Sequence, residues 1–436
     1  MKQSFKVFWF RRDLRLHDNH GLYEALRAGA PVLPLFIFDT SITDKLQDKS
    51  DARISFIYKQ LETLHKALRE RQSGLLLRIG KPVDVFQTLL NQYSIAAVFA
   101  NSDYEPYATE RDNAVKQVLG ASGVQFQTYK DQVIFEKQEV LKPDGRPYTV
   151  FTPYSRKWKA LLASASVMHY PSENHLPNLL KIDQEFPVLE AIGFQRSNLE
   201  IPDAVIDQQA LIAYAANRNF PWPGNTSLAG PHLRFGTISI RHLVLKAVGT
   251  SETYLNELIW REFFMQIIWH FPRVLQENFN PNYRLLAWRN NEQEFNRWCE
   301  GRTGYPLVDA GMRQLNQTGF MHNRVRMVAA GFLTKHLLID WRWGETYFAG
   351  KLLDYELASN NGNWQWAAGT GCDAAPYFRV FNPHEQARKF DPDGQYTTYW
   401  IPELNDSVYP KPIVEHTFAR SRAIHAYKQA LSMLSK

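Results

Sequence analysis

Residues 5–10 read FKVFWF and residues 31–38 read PVLPLFIF, two short runs that are almost wholly apolar. Two similar runs follow, LLLRI at 75–79 and IAAVFA at 95–100, and a helical pattern over 51–72 lies between the second and third runs. Short apolar strands that alternate with helices indicate a parallel sheet with helical crossovers. The start of the chain therefore predicts a doubly wound α/β domain. It contains no G-x-G-x-x-G sequence, so the usual dinucleotide fingerprint is not expected there.

The rest of the chain changes character twice. Residues 131–202 are turn-rich, as in PDGRPYTVFTPY and YPSENHLPNL, and predict a long connection after a first domain that ends near residue 130. From 203 to 436 helical periodicity dominates, interrupted at 221–224 (PWPG) and 304–306. This last part is expected to form an all-α domain.

Composition narrows the class of protein. Lys and Arg number 50 against 44 Asp and Glu, a net charge of +6 that favours a polyanionic partner. The two cysteines, Cys299 and Cys372, have neither metal-type spacing nor a disulfide framework. A reducing compartment, the cytoplasm, and no metal site are therefore expected. No stretch approaches ~18 uncharged apolar residues, so neither a membrane span nor a signal peptide is predicted.

The densest motif is DWRWGETYFAGKLLDYELASNNGNWQWAAGTGCDAAPYFRVFNP, residues 340–383. It holds four of the 12 tryptophans of the chain, Trp341, Trp343, Trp364 and Trp366. Small residues around them let a flat ligand approach the backbone. Trp364 and Trp366 are two positions apart, so on a helix they face nearly opposite sides, one toward a cofactor and the other toward a cavity. The alternative for each Trp is an ordinary place in the core.

Two helical segments carry charged groups beside aromatic and apolar residues. In TYLNELIWREFFMQII (253–268), Glu257, Trp260 and Arg261 have i, i+3, i+4 spacing and share one helix face. The alternative is a surface ion pair beside a half-buried Trp.

The second segment is FMHNRVRMVAAGF (320–332), where Asn323 and Met327 share a face. Arg324 and Arg326 need carboxylate or phosphate partners in this apolar setting, and either Asp354 or Glu356 could supply one. A buried structural salt bridge is the alternative.

A Gly- and Pro-rich loop precedes another predicted helix. In FPWPGNTSLAGPHLRFGTIS (220–239), Thr226 and Ser227 offer hydroxyls and free N–H groups that suit a phosphate. The same pattern is typical of an ordinary helix N-cap.

Together these stretches resemble the photolyase/cryptochrome flavoprotein family. The matching segments, in family order over nearly the whole chain, are WFRRDLRLHDN, VFTPYSRKW, ELIWREFF, TGYPLVDAGMRQL, MHNRVRM and NNGNWQWAAGTGCDAAPYFRVFNP. The chain closely resembles the bacterial class I cyclobutane pyrimidine dimer (CPD) photolyases. The resemblance implies a Rossmann-like N-terminal domain and an all-α C-terminal domain that binds one non-covalent FAD, active as FADH⁻.

The resemblance also assigns roles by position. The cofactor-binding residues would be Tyr214, Thr226, Ser227, Leu228, Arg261, Arg326, Asp354, Glu356 and Asn360, the last beside the reactive ring nitrogen. Arg326 and Asp354 would form a salt bridge that flanks the ring. A relay that carries electrons from the surface to the flavin would be Trp288, Trp341 and Trp364. The catalytic lesion pocket would be Glu257, Trp260, Asn323, Met327 and Trp366. Contacts to DNA phosphates would come from Arg218 and Arg324.

The implied activity is light-driven DNA repair by a carbon–carbon lyase. The reduced flavin absorbs blue or near-ultraviolet light and passes an electron to the dimer, which splits and returns it. The dimer must first be flipped out of damaged DNA. Trp260 and Trp366 would hold it, and Glu257, if protonated in a dry pocket, would donate to a pyrimidine carbonyl where charge develops. A monomeric enzyme is expected.

Three departures from the family pattern bear on these expectations. The phosphate loop, usually T-S-x-L-S, reads TSLAG at 226–230 and lacks the final hydroxyl. The second acid of the usual D-x-D is Glu356. Around YEPYA (104–108) the Asn-Glu pair of a folate antenna site is missing. The antenna chromophore is left open between a deazaflavin, another flavin, a folate bound differently, and none.

Three other activities are weighed against CPD repair. A (6-4) photolyase would carry histidines where this chain has Asn323 and Met327. A cryptochrome photoreceptor often has a long disordered tail, whereas only about 50 residues follow Pro383 here and the last of them predict a helix. Glu257 and Trp366 are also retained. A flavoprotein without DNA activity is the third alternative.

Overall fold

The computed structural model describes residues 4–165, 167–223 and 226–433. Its contacts divide the chain into two compact units, each assembled from several segments. The first unit holds residues up to 139, residues 159–204 and residues 228–246; the second holds residues 140–158, 205–227 and those from 247 onward. The expected boundaries at 130 and 202 remain a proposal about independently folding domains.

The first unit is built on a five-stranded parallel sheet with the order β3-β2-β1-β4-β5. Its strands are β1 (Phe5–Phe10), β2 (Val32–Phe38), β3 (Leu76–Ile79), β4 (Ile95–Asn101) and β5 (Gln125–Tyr129). Val7 pairs with Leu33 of β2 and with Val98 of β4, so β1 lies at the centre. The predicted α/β fold is confirmed. The fifth strand was not predicted, because QFQTY at the sheet edge is polar and partly exposed.

Helices cover both faces of this sheet, which explains the unbroken apolar runs of β1 and β2. Alternate residues face opposite sides: Phe8 and Phe10 belong to one buried cluster, and Val7 and Trp9 to another. Numbered in chain order, the helices of this unit are α1 (His20–Arg27), α2 (Thr40–Thr43), α3 (Ala52–Arg69), α4 (Pro82–Gln92), α5 (Pro106–Ala121), α8 (Ala229–Phe235) and α9 (Ile240–Ala247), with 3₁₀ turns at Ser172–Asn178 and Leu189–Ile192.

A buried ion network also lies within the first unit. The Asp131 carboxylate accepts from Arg15 Nη2 at 2.7 and 2.8 Å and from Arg241 Nη2 at 2.8 Å. Arg241 Nε reaches Asp18 at 3.1 Å, and Ser239 donates to the same carboxylate. Burial alone would raise the pKa of Asp131, but Arg15 and Arg241 outweigh it and lower that pKa. Each carboxylate in this network is therefore held by a buried cation.

The second unit is helical, as predicted for the C-terminal part of the chain. Its helices are α7 (Gln208–Asn217), α10 (Glu252–His270), α11 (Glu292–Cys299), α12 (Pro306–Thr318), α13 (Asn323–Gly331), α14 (Trp341–Lys351), α15 (Leu357–Ala368), α16 (Pro383–Phe390), α17 (Gln395–Trp400) and α18 (His416–Met433), together with α6 (Phe151–Ser164) as far as residue 158. The rest of α6 is counted with the first unit. Short 3₁₀ turns lie at Pro272–Leu275 and Pro281–Tyr283, and Phe332–His336 is a π-helix. Helix α6 falls in the stretch expected to be a connection.

Local sequence explains where the central helices begin. Ser251 accepts from the Tyr254 amide at the start of α10, and Asp340 accepts from the Arg342 amide at 3.0 Å at the start of α14. Such caps satisfy amides that have no partner within the helix. They set the positions from which α10 and α14 present their side chains.

Helix α15 packs against α10, α13 and α14 at the centre of the second unit. Two glycines make that approach possible. A Cβ at Gly344 would lie 2.1 Å from Trp364 Cη2, and a Cβ at Gly362 would lie 2.1 Å from Phe264 Cδ1. Within the described parts of the chain, we find no helix with the length and apolar character needed to cross a bilayer.

Candidate functional site

Two cavities lie side by side in the helical unit. The first encloses about 600 Å³ including its mouth, and its lining is Asn323, Arg326, Met327, Ala330, Phe348, Leu352, Asp354, Tyr355, Glu356, Ser359, Asn360, Asn363, Trp364, Trp366 and Ala367. The second encloses about 860 Å³ including its mouth, and its lining is Arg218, Glu257, Trp260, Arg261, Phe264, Asn323, Met327, Ser359, Asn363 and Trp366.

Five residues line both cavities: Asn323, Met327, Ser359, Asn363 and Trp366. We call this set the shared wall. Helix α13 supplies the first two and helix α15 the other three. Because one layer of side chains serves both cavities, ligands bound on its two sides would be separated by little more than a side chain.

The two tryptophans of α15 occupy different surroundings. Trp364 is buried, with its ring edge-on to Phe348 at 4.9 Å and to Trp298 at 6.1 Å between centroids. Trp366 is half-buried and belongs to the shared wall. The two-residue spacing thus places one indole in the core beside the first cavity and the other between the cavities.

Asn360 presents its amide in a defined direction. Its Nδ2 donates to the Glu345 carbonyl at 3.1 Å and to Glu345 Oε1 at 2.9 Å. Both amide hydrogens are used in this way, which leaves the side-chain oxygen as the group available to the first cavity. Burial raises the pKa of Glu345.

Charged groups in the first cavity are only partly satisfied. Arg326 Nη2 donates to Asp354 Oδ2 at 2.8 Å, and its Nε donates to the Met321 carbonyl at 2.7 Å. The other oxygen, Asp354 Oδ1, is buried without a hydrogen-bond partner among the described residues. Glu356 pairs with Arg261 at 3.0 Å. A buried acceptor without a partner beside a narrow aromatic cavity fits a flat ligand that carries an N–H donor.

The second cavity combines an aromatic surface with a carboxyl group. One face of Trp260 is covered by Phe151, whose ring is parallel to it at 3.7 Å. The ring of Phe264 lies 5.4 Å away, tilted by 31°. Glu257 pairs with Arg218. Burial raises the pKa of Glu257, although Arg218 opposes that shift.

An arginine cluster surrounds this region. Arg324 donates to Asn219 at 2.6 Å and lies 4.2 Å above the Phe390 ring. The pKa of His322 is lowered to about 4, first by burial and then by the positive charges of Arg326, Arg324 and Arg218. Burial is the larger cause of this lowered pKa, and the three arginine charges that add to it form a positive field that favours an anionic ligand.

The residues expected on the phosphate side lie outside the two cavities. Tyr214 packs edge-on against Tyr254 at 5.0 Å, and Tyr254 donates to Ser227 Oγ at 3.3 Å. Thr226 is half-buried, and Leu228 precedes α8 with φ +50°. The linings of the two cavities, as the described residues define them, include none of Tyr214, Thr226, Ser227 and Leu228.

The three tryptophans of the expected relay are placed in or against one hydrophobic cluster. Trp341 and Trp364 are buried in it, and Trp288 is half-buried and packs against it. Trp341 Nε1 donates to Asn278 Oδ1 at 2.8 Å. Among the described residues no ring of the three stacks directly on another.

Some residues of the site were not anticipated from the sequence. Phe264 follows Trp260 by four positions, so the helix period could have included it. Glu345, which orients Asn360, carries no sequence signal of that kind. Phe151 lies more than a hundred positions before Trp260, and only the folded chain brings the two rings together.

Comparisons with known proteins agree over both parts of the chain. The family model for DNA photolyase matches residues 6–174, and the model for the FAD binding domain of DNA photolyase matches residues 254–408. The deoxyribodipyrimidine photo-lyase of Halobacterium salinarum is 35% identical over 480 residues, which cover 98% of this chain and 99% of that protein. The enzyme of the same name from Escherichia coli is 35% identical, covering 97% and 98%.

Solved structures give the same result. A bacterial class III photolyase from Agrobacterium tumefaciens superposes with a TM-score of 0.86 at 33% identity, covering 99% of this chain and 98% of that one. An archaeal photolyase from Sulfolobus tokodaii with two FAD molecules gives 0.81 at 33% identity, covering 98% and 100%. A cryptochrome from Synechocystis gives 0.84 at 25% identity, covering 98% and 100%. This chain belongs to the photolyase/cryptochrome family, with FAD as its cofactor and deoxyribodipyrimidine photo-lyases among its full-length relatives.

Proposed function

We propose that this chain is a deoxyribodipyrimidine photo-lyase that splits cyclobutane pyrimidine dimers in damaged DNA under light. The observation that carries the proposal is the shared wall, which brings a cavity suited to a flat cofactor within one side chain of a cavity suited to a lesion. Bound in the first cavity, reduced FAD supplies an electron when it absorbs light.

The residues of the first cavity would hold and orient that cofactor. Asp354 Oδ1, which lacks a partner, would accept from an N–H of the ring, and Arg326 keeps the carboxylate in place at 2.8 Å. Asn360 would face the ring with its amide oxygen because Glu345 holds its nitrogen. Glu356 lines this cavity and pairs at 3.0 Å with Arg261, which would support the cofactor through that pair although it lines the second cavity.

The residues of the second cavity would hold the dimer. Phe151 covers one face of Trp260, which leaves the other face of that indole for a pyrimidine. Trp366, Met327 and Asn323 would contact the dimer from the shared wall. Glu257 in its protonated form would donate to a pyrimidine carbonyl, which stabilises the charge that develops there. Its raised pKa supports this role.

The dimer would reach this cavity by leaving the DNA helix, because neither strand of an intact duplex can present a base edge at such depth. Arg324 and Arg218, at the rim, would contact backbone phosphates. We further propose a monomer that works in the cytoplasm. The free thiols of Cys299 and Cys372 are compatible with a reducing compartment.

Trp288, Trp341 and Trp364 would resupply electrons from the surface. We expect Trp288→Phe to slow photoreduction of the oxidised protein by roughly tenfold or more, while repair by chemically reduced protein stays normal. Trp343→Phe is the matched control, since Trp343 packs against Phe295 in the same cluster and has no proposed electron role. Transient absorption and dimer counting would measure the two processes; loss of repair in the pre-reduced variant would instead indicate a folding role.

The central experiment is a repair assay on an oligonucleotide with one defined CPD. Reduced protein is illuminated, a dark sample runs in parallel, and a second oligonucleotide carries a (6-4) product. We expect light-dependent recovery of the CPD strand alone. Equal recovery in light and dark, or recovery of the (6-4) strand, would contradict the proposal.

The alternative is a cryptochrome-type photoreceptor, and the similarity to the Synechocystis cryptochrome is the observation that favours it. It predicts light-driven flavin reduction without any dimer loss in the same assay. A spectrum of the chromophores released by denaturation would identify an antenna. A second FAD, as in the Sulfolobus photolyase with two FAD molecules, is one outcome; a deazaflavin, a folate and no antenna are the others.

A further inference from the structure

An exposed aromatic surface lies in the helical unit, outside both cavities. The rings of Trp222 and Tyr399 are in contact at 5.0 Å, yet the two residues are 37% and 60% exposed. Phe220, two positions before Trp222, is also exposed. We call these three residues the aromatic ledge. Single exposed apolar residues are ordinary, whereas a contiguous exposed patch marks a binding surface.

The aromatic ledge is continuous with the rim of the second cavity. Phe220 contacts Phe390 at 6.4 Å, and the Phe390 ring carries Arg324 at 4.2 Å and Lys389 at 5.3 Å above it. Arg324 follows Asn323 of the shared wall directly in α13. Ring contacts and neighbouring positions in the chain therefore link the ledge to the proposed lesion site.

Three cations on or beside this path are not neutralised by a carboxylate among the described residues. Arg324, Lys389 and Arg379 form no ion pair with the described carboxylates, and Arg324 Nε is buried without a hydrogen-bond partner. Burial lowers the pKa of Arg324, and the positive charges of Arg218 and Arg379 lower it further. Arg388 pairs with Glu385. Exposed aromatic rings beside unpaired cations suit unpaired nucleic acid, whose bases stack while its phosphates bind the cations.

We propose that the aromatic ledge stacks an unpaired base of the strand opposite the dimer. The inference rests on the proposed function, since flipping a dimer out of a duplex leaves the two opposite bases without partners. Bases that flank the dimer on its own strand keep their pairs. The opposite bases are thus the unpaired bases that a duplex complex newly creates next to the lesion site, and Arg324 and Lys389 would neutralise their phosphates.

The test compares a double variant, Trp222→Ala with Tyr399→Ala, with the wild type in the dark. Its matched control is Phe418→Ala, which removes an equally exposed ring, 59%, from α18. Dissociation constants are measured by fluorescence anisotropy for three DNAs: a CPD in a duplex, the same duplex with abasic sites opposite the dimer, and the CPD in a single strand. Urea unfolding verifies that all variants remain folded.

We expect the double variant to bind the CPD duplex about 5- to 150-fold more weakly, the range for removing an aromatic platform for one base. The abasic duplex and the single strand should show no such loss, and Phe418→Ala should change none of the three. An equal loss of affinity for all three DNAs would show that the ledge contacts the strand that carries the dimer, and it would overturn the proposal. No loss of affinity for any of them would also overturn it.

A fourth DNA separates failure of this inference from failure of the proposed function. An undamaged duplex with two mismatched adenines offers unpaired bases without a dimer. If wild-type protein shows no preference for CPD DNA, the proposed function fails; weaker binding of the mismatched duplex by the double variant would still support the ledge. Sedimentation adds a last outcome that would overturn the proposal, because a dimeric wild type that becomes monomeric in the variant would assign the ledge to a second copy of the chain.

Discussion

Two carboxylates, Asp131 in the first unit and Asp354 in the helical unit, are held in opposite ways. In the first unit the Asp131 carboxylate has a buried arginine on each side, at 2.7 and 2.8 Å, and Arg241 is shared with Asp18. In the helical unit the Asp354 carboxylate has one arginine partner and one oxygen with none among the described residues. Arg15 Nε is the only unpartnered side-chain atom of the described network in the first unit, and there both carboxylates are satisfied.

The difference separates charges that hold the fold from charges that await a ligand. A buried ion with its partners in place can be removed only at a large cost in stability. An ion with an unused lone pair has already lost solvation that a ligand can restore. Substitution in the first unit should therefore affect folding, and substitution at the cavities should affect binding.

The largest expected effect is at Asp131. Asp131→Asn leaves Arg15 and Arg241 without their shared carboxylate, and removing one partner of a buried pair costs about 3–5 kcal/mol. Because the pKa of Asp131 is lowered in the folded state, its contribution is present above the unfolded pKa and disappears as pH falls. Urea unfolding across the acid range should show both the loss and a weaker acid dependence in the variant. Asp183→Asn, at an exposed pair with Arg69, should leave the midpoint unchanged.

A smaller effect is expected at Asp354, on the affinity for FAD and not on the free energy of unfolding. Asp354→Asn weakens a charge-assisted hydrogen bond to the cofactor, worth about 1.5–3 kcal/mol, so the dissociation constant for FAD should rise about 10- to 100-fold. Flavin fluorescence measures the free cofactor, and unfolding of the cofactor-free protein should hardly change. Asp393→Asn, at an exposed position, is the control. A variant that keeps its FAD but unfolds more easily would erase the distinction between the two units.

Lys335 is a buried lysine whose partners are a carbonyl and an aromatic ring, so its substitution measures what burying a cation without a carboxylate costs in stability. Its Nζ donates to the Ala368 carbonyl at 2.8 Å and lies 4.0 Å above the Tyr427 ring. Burial lowers its pKa to about 7, from 10.5. Between these values the unfolded chain binds one more proton than the folded chain, so stability should rise with pH, by up to about 1.4 kcal/mol per unit.

The measurement is the urea midpoint from about pH 7 to about pH 8.5, the part of this interval that lies below the ordinary titration of lysine. Lys335→Met should flatten the rise, and Lys351→Met, on the exposed side of α14, should retain it. A rise of the same slope in Lys335→Met would show that another group is responsible.

The smallest effect is expected at Glu257. Because burial raises its pKa, the protonated form persists above the usual range and is lost as pH rises further. Repair yield per absorbed photon in pre-reduced protein should therefore fall by a few-fold with rising pH. Glu257→Gln, which keeps a donor at all pH values, should give a flat profile. Parallel profiles for the two proteins would remove Glu257 from the lesion chemistry.

Much of the fold follows from short-range patterns. Strands β1 to β4 appear as apolar runs, because a buried parallel strand needs apolar residues on both sides. Strand β5 has no such run, since it lies at the edge. Helix α6 was concealed by the turn-rich residues around it. The two compact units are also not consecutive halves of the chain, because residues 228–246 belong to the first unit.

The site was predictable where helix spacing decides it. Glu257, Trp260 and Arg261 line one cavity because positions i, i+3 and i+4 share a face. The salt bridge of Arg326 with Asp354 was expected from the family resemblance, and the structure contains it. Other pairings between distant segments were left open by the sequence: Arg261 takes Glu356, and Arg324 takes Asn219. The stacking of Phe151 on Trp260 is another contact between distant segments that the sequence did not indicate. Such contacts depend on how helices pack, which local periodicity does not determine.

The shared wall has a consequence for the genetics of this protein. An allele altered at Asn323, Met327 or Trp366 changes the lining of both cavities at once. A screen for ultraviolet sensitivity under repairing light would yield these alleles, and the purified variants would also have lost their yellow flavin, because cofactor retention and lesion binding would depend on the same side chains. Alleles altered at Glu257 or Trp260 would leave cells sensitive to ultraviolet light, but the variant proteins would keep their flavin. The two phenotypes would thus separate residues of the shared wall from residues that line the second cavity alone.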